Sequence, residues 1–155
     1  MENKKRKELQ VSALENGTVI DHIPQGVVQQ VLKILGLEEC MEPIYMGANL
    51  ESKKMGRKGI IKVANRFFKP EELNKIALIA PTATIIEIKE YDVKAKTQVS
   101  IPDEIHQFVK CFNPKCITNV DDDVTTKFYV IDKEDLKLRC HYCEKITGRK
   151  NIEYK

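Results

Sequence analysis

Cys140 and Cys143 stand two residues apart in "RCHYC", and Cys111 and Cys116 stand four residues apart in "CFNPKC", with 23 residues between the two pairs. A single C-x-x-C pair can be a redox dithiol, part of a disulfide framework or half of a metal site, and a second pair bears on which. Two such knuckles and a spacer form the pattern in which four thiolates converge tetrahedrally on zinc. A disulfide framework needs an oxidising compartment, but "MENKKRKELQ" at the start carries no apolar run of signal-peptide type, and no stretch approaches transmembrane length. A cytoplasmic chain with reduced thiols is expected. A thioredoxin-like dithiol opens a helix, whereas "CHYC" follows the strand-like "LKLR" and has a second pair to match it. The spacing therefore predicts one structural Zn²⁺ held by Cys111, Cys116, Cys140 and Cys143. Four thiolates close the ion to water, which excludes a hydrolytic metal. His141, between two ligands, reads as a solvated knuckle residue, and the leftover Cys40 as a small, partly buried one.

No other motif supports catalysis. The only histidines are His22, His106 and His141, no recognisable nucleophile motif accompanies any of them, and the chain has neither a Walker A loop nor G-x-G-x-x-G. What remains is a set of cations, Lys58, Lys62, Lys94 and Lys96, on or beside expected strands. Fixed cations on a sheet can meet a triphosphate, and Asp21 could accept hydrogen bonds from ribose hydroxyls. Spacing alone favours the plainer reading, that these lysines are the solvated face of amphipathic strands.

The elements that would position these residues follow from periodicity. "LQVSALENGTVIDHI" is rich in β-formers with a turn signal at Asn16-Gly17. Pro24 suits a first helical turn, and Val27, Val28, Val31, Leu32, Ile34 and Leu35 recur at helical spacing until Gly36. "PIYMGANL" and "GIIKVANRFF" read as strands joined by a polar loop, "ESKKMGRK". Pro70 opens a second helix, "PEELNKIALIA", which Pro81 closes, and "ATIIEIKEYDVKAK" reads as one last alternating strand. The order β-α-β-β-α-β predicts an α+β fold whose N-terminal part is ferredoxin-like, followed by a small β-rich domain around the four cysteines. Phe67 and Phe68 are expected in the core. "TQVSIPDEI" marks the boundary, giving domains 1–100 and 101–155, with "DEIHQFVK" a short amphipathic lead into Cys111.

Charge separates the function classes. Of 155 residues, 26 are Lys or Arg and 23 Asp or Glu, a net charge of +3 that does not by itself imply a polyanion partner. Residues 101–155 carry 10 of each sign and place "DDD" at 121–123 between the knuckles. A zinc-ribbon nucleic-acid-binding protein, the main alternative, would need clustered cations there, and the acidic tip would repel phosphates. A domain of that size also buries too little to fold without its metal.

"ELQVSALENGTVIDHIP", "MGRKGIIKVAN", "IALIAPTATI" and "LRCHYCEK" together resemble the regulatory chains of aspartate carbamoyltransferase, from about Leu9 to about Glu144. The resemblance implies a non-catalytic allosteric subunit of pyrimidine biosynthesis, with a nucleotide-binding domain and a zinc domain that contacts the catalytic chain. It also implies pairing of regulatory chains as a homodimer, and neither nucleic-acid nor membrane binding. It implies a site for nucleoside triphosphates (ATP, CTP, UTP) at Val11, Ser12, Ala13, Leu14, Asp21, His22, Lys58, Lys62, Ile88, Tyr91, Val93 and Lys96. In that assignment Lys96 and His22 face phosphates, Asp21 and Lys62 serve the ribose and base, and backbone near Leu14 and Tyr91 reads the base edge. In this family the N-terminal segment can lie near the nucleotide and assist a second nucleotide or Mg²⁺. Ile86 and Ser12 depart from the family pattern, polar Asn and acidic respectively, which bears on effector preference and the sign of regulation.

Overall fold

The computed structural model describes residues 13–154. They form two compact units that part between Ser100 and Ile101.

In the first unit, β1 (Gly17–Pro24) is the centre of a five-stranded antiparallel sheet. Its start is close against β3 (Gly56–Ala64): a Cβ on Gly17 would lie 2.1 Å from the Val63 carbonyl oxygen, and φ there is +147°, so only glycine fits. The strand carries a bulge between Ile20 and Ile23, with His22 in the left-handed region at φ 57°. Ile20 and Ile23 are three residues apart, which would put them on opposite faces of a regular strand. The extra residue returns both to the core side, and both are fully buried.

Pro24 ends β1, in register with Lys58, and does not open the helix as expected; α1 (Val28–Ile34) follows a short turn. Val28, Val31 and Leu35 are its buried stripe, and Gly36 at φ 66° stops it before a 3₁₀ turn, Leu37–Glu39. The hairpin of β2 (Ile44–Ser52) and β3 is tighter than the expected polar loop, because the strands pair out to Ser52 and Gly56. Pro70 opens α2 (Pro70–Asn74), which tightens to a 3₁₀ turn at Lys75–Leu78 instead of continuing as one helix. Ile76, Ala77, Leu78 and Ala80 are buried there. The expected final strand is in fact two, β4 (Thr84–Lys89) and β5 (Asp92–Gln98), reversed at Glu90 and Tyr91. The alternating pattern runs on through the turn, so periodicity alone hides it.

The strand order β2-β3-β1-β4-β5 is ferredoxin-like over its first four strands, with β5 added at the edge. One face carries the row Ile61, Ile20 and Ile85, all three buried, and belongs to the core shared with the helical segments.

The second unit holds two small sheets. One has the order β10 (Ile146–Gly148), β9 (Lys137–Cys140), β8 (Lys127–Asp132), β6 (Glu104–His106), and the other pairs β7 (Val109–Lys110) with β11 (Glu153–Tyr154). "DEIHQFVK" is thus not one amphipathic piece but two short strands broken at Gln107, where φ is 77°. A one-turn helix, α3 (Ile117–Val120), follows Cys116. The buried apolar side chains are few: Ile105, Val109, Phe128, Leu136 and Leu138, besides three of the cysteines.

Candidate functional site

The four expected metal ligands meet at one point in the second unit. Cys111 and Cys116 flank "FNP" and its Lys115, Cys140 ends β9, and Cys143 lies in the turn toward β10. All four Sγ atoms lie within 4.8 Å of one another; Cys111 to Cys143 and Cys116 to Cys140 are each 3.7 Å. A disulfide would need about 2.05 Å. A metal–sulfur bond of about 2.3 Å sets tetrahedral edges of about 3.8 Å, so the arrangement fits a four-thiolate ion such as zinc.

The surrounding backbone builds each knuckle. The Cys116 N–H donates to the Asn113 carbonyl at 3.0 Å, and the Cys140 N–H to the Lys145 carbonyl at 3.0 Å, while Glu144 takes φ 63° to close the second turn. Asn119 Nδ2 donates to the carbonyls of Cys111 and Asn113 at 2.8 and 2.7 Å, and Thr118 Oγ1 donates to Cys116 Sγ at 3.2 Å. Asn119 and Thr118 orient the ligands, yet no spacing rule in the sequence singled them out. Burial pushes the Cys111 thiol well above its ordinary range and raises that of Cys140 too. Burial acts upward on Cys143 too, but the Lys145 N–H, the Asn113 side chain and the neighbouring thiols hold it down at about 7. A bound cation would offset that burial and favour the thiolate forms of Cys111 and Cys140. His141 stays outside the cluster: its ring Nδ1 is 2.7 Å from the Tyr129 hydroxyl, and the residue is exposed.

In the first unit, residues opposed across antiparallel strands share a face. The register sets Tyr45, Lys62, Val19, Ile86 and Lys96 in one row, on the side opposite the row of Ile61, Ile20 and Ile85. One step along β1 toward its start come Gly17, Ile88 and Val93, and one step the other way come Asp21, Thr84 and Gln98. Lys58 Nζ is 2.8 Å from Asp21 Oδ1, both side chains largely buried. Burial lowers the Lys62 ammonium from its ordinary range, and the Asp21 charge works against that shift. His22 sits on the bulge: its N–H donates to Asp21 Oδ1 at 2.6 Å and its carbonyl accepts from Thr82 Oγ1 at 2.7 Å. Its buried Nδ1 has no hydrogen-bond partner among the described residues and lies 3.8 Å from Asp21 Oδ1. His22 lines a cavity of about 420 Å³ together with Lys54, Met55, Pro81, Thr82, Thr84 and Gln98.

At the opposite end Leu14 is buried and Ala13 exposed, while Tyr91 and Val93 are 65% and 61% exposed. Val11 and Ser12 lie outside the described residues. The open face therefore gathers Lys62, Lys96, Ile88 and Val93, with Asp21, Lys58 and His22 at one end and Leu14 and Tyr91 at the other. Lys94 falls at the β5 irregularity and is not in the row. Tyr45 and Val19, absent from the expected set, stand in the central row, and only the strand register reveals them. Phe68 is in the core as expected, but Phe67 is 42% exposed with Lys89 Nζ 5.3 Å from its ring centre.

Comparison with known proteins follows the same division. Residues 9–100 match the family model of the aspartate carbamoyltransferase regulatory chain, allosteric domain, and residues 103–153 match that of its metal binding domain. This chain belongs to the aspartate carbamoyltransferase regulatory chains. The regulatory chain of Pyrococcus furiosus is 53% identical over 147 residues, covering 94% of this chain and 96% of the relative. That of Bacteroides thetaiotaomicron is 50% identical over 147 residues, covering 95% of each. That of Parabacteroides distasonis is 49% identical over 152 residues, covering 98% of each. The regulatory chain is accordingly an allosteric, non-catalytic subunit with a metal-binding domain, and a regulatory chain implies a catalytic chain as its partner. Among the described residues no helix is long and apolar enough to cross a membrane.

Proposed function

We propose that this regulatory chain binds nucleoside triphosphates on the open face of its first sheet and transmits their occupancy to the catalytic chain of aspartate carbamoyltransferase in pyrimidine biosynthesis. The observation that carries this reading is the row of Lys62, Val19, Ile86 and Lys96 on that face. Cations flank an apolar strip there, a surface suited to a ligand that is flat and apolar at one part and anionic at another. From Gly17 to Asp21 the face runs about 13 Å along the strand, enough for an extended ligand. At the end with His22 the two ammonium groups of Lys58 and Lys54 outnumber the Asp21 carboxylate, which suits phosphates. The end with Leu14, Ile88, Tyr91 and Val93 is apolar and suits a base.

In this reading residues 1–100 are the nucleotide-binding allosteric domain, through which two regulatory chains pair. Residues 101–155 are the domain that contacts the catalytic chain, shaped by one Zn²⁺ on Cys111, Cys116, Cys140 and Cys143. Mg²⁺ accompanies the bound nucleotide, and the protein works in the cytoplasm. When bound, zinc supplies charge compensation and a fixed tetrahedron. The chain's own residues supply the rest: Thr118, Asn113 and Asn119 orient the thiolates, and the two knuckles present Phe112, Ile117 and Tyr142 outward, each 44% exposed.

Calorimetric titration of the chain with ATP, CTP and UTP, with and without Mg²⁺, tests the proposal. Saturable binding that Lys62→Ala and Lys96→Ala both weaken is expected. No binding of any of the three, or binding indifferent to both substitutions, would overturn it.

A further inference from the structure

The reversal between β4 and β5 takes two residues, and both, Glu90 at φ 52° and Tyr91 at φ 67°, are left-handed. That handedness matches the strand twist, but the conformation is normally supplied by Asn-Gly or Asp-Gly, because a Cβ disfavours positive φ. Nothing in the sequence of the turn therefore stabilises it. What holds it lies outside the hairpin. Asn16 Oδ1 accepts the Glu90 N–H at 3.2 Å, and the Glu15 carbonyl accepts the Tyr91 N–H at 2.9 Å. Both N–H groups of the strained pair are thus taken by the two residues that follow Leu14. Asn16 is itself anchored: its carbonyl accepts the Asn65 N–H at 2.9 Å, just past the end of β3, and the next residue is Gly17, close against Val63. Tyr91 is 65% exposed, so its backbone rather than its packing fixes where it stands.

We infer that Asn16 is a positioning residue for the base end of the ligand face: through the Glu90 N–H it locks the strained turn and so sets Tyr91 and the segment at Leu14 relative to each other. Asn16 touches no ligand in this role. The inference rests on the nucleotide reading above. It adds that recognition at this end depends on a clamp reaching 74 residues along the chain, from Asn16 to Glu90.

The test is titration of the full chain with ATP, CTP and inorganic triphosphate, for the wild type, Asn16→Ala, Asn16→Asp and the double variant Asn16→Ala with Glu90→Gly. Loss of one neutral hydrogen bond should weaken nucleotide binding about five- to tenfold in Asn16→Ala. Inorganic triphosphate, which has no base, should bind as it does to the wild type. Asn16→Asp keeps the acceptor oxygen and should bind nucleotides nearly as the wild type does. Glycine adopts positive φ unaided, so Glu90→Gly should restore most of the affinity lost in Asn16→Ala, and it keeps the test usable if the single variant folds poorly. Unchanged nucleotide affinity in Asn16→Ala, equal losses for nucleotide and triphosphate, or no recovery in the double variant would each overturn the clamp. A wild-type chain that binds none of the nucleotides would instead overturn the reading on which it rests.

Discussion

Lys62 and Lys96 are separated by 34 residues of sequence, and the register places them one on each side of Val19 and Ile86. A charge-assisted hydrogen bond contributes about 1.5–3 kcal/mol, so Lys62→Ala and Lys96→Ala should each lower nucleotide affinity roughly 10- to 150-fold, measured by calorimetry, with circular dichroism unchanged. Asp21 is already occupied by Lys58 at 2.8 Å and by the His22 N–H. If it also receives ribose hydroxyls, Asp21→Ala should weaken ATP and CTP more than inorganic triphosphate; equal losses would make Asp21 a support for Lys58 alone. The residue types of this face were legible in the sequence, since lysines beside apolar strand positions stand out. Which of them cooperate was not. Lys94 and Lys96 look equivalent in "VKAK", and only the irregularity in β5 sets them apart.

At the scale of elements, the bulge in β1 decides which side chains form the core. It returns Ile23 to the side of Ile20, where both are fully buried between sheet and helical segments. Ile20→Ala should therefore cost about 2–5 kcal/mol of stability, read from the urea midpoint. Val93→Ala, on the open face and 61% exposed, should stay within about 0.5 kcal/mol of the wild type. Comparable losses at the two positions would mean that the open face is covered and not available to a ligand. The helical segments were legible from their apolar spacing and from Pro70 and Gly36, but their lengths were not. The hairpin at Glu90 and Tyr91 escaped detection because it uses neither glycine nor asparagine, its support coming from Asn16 and Glu15.

At the scale of the whole molecule, the two units differ in what stabilises them. The first buries more than a dozen apolar side chains, among them Ile20, Ile61, Val63 and Ile76, whereas in the second the buried set is short and includes Cys111, Cys116 and Cys140. Stability of the second unit should therefore depend on the metal, because ligand binding and folding are one equilibrium in so small a core. Mercurial treatment or Cys143→Ala should release the metal and raise hydrogen exchange throughout residues 101–155. Association with the catalytic chain should be lost as well, while the first unit keeps its exchange protection and nucleotide binding. A metal-free chain that docks normally would show that the four thiolates do not shape the docking surface.

The sequence by itself determined what depends on local spacing and composition. The four cysteines announce their metal through x₄ and x₂ intervals, helix ends are marked by Pro70 and Gly36, and the neutral charge of residues 101–155 weighs against a phosphate backbone. These signals are readable because a knuckle, a cap or a charge balance involves residues close together in the chain. Tertiary structure decided what depends on register. A strand shows both of its faces equally in one dimension, so the shared face of Lys62, Ile86 and Lys96 exists only once β3, β1, β4 and β5 are aligned. The same holds for Asn16 and Glu90: hydrogen bonds between distant segments leave no periodic trace, and a strained turn held from outside looks like continuing strand until the holder is seen beside it.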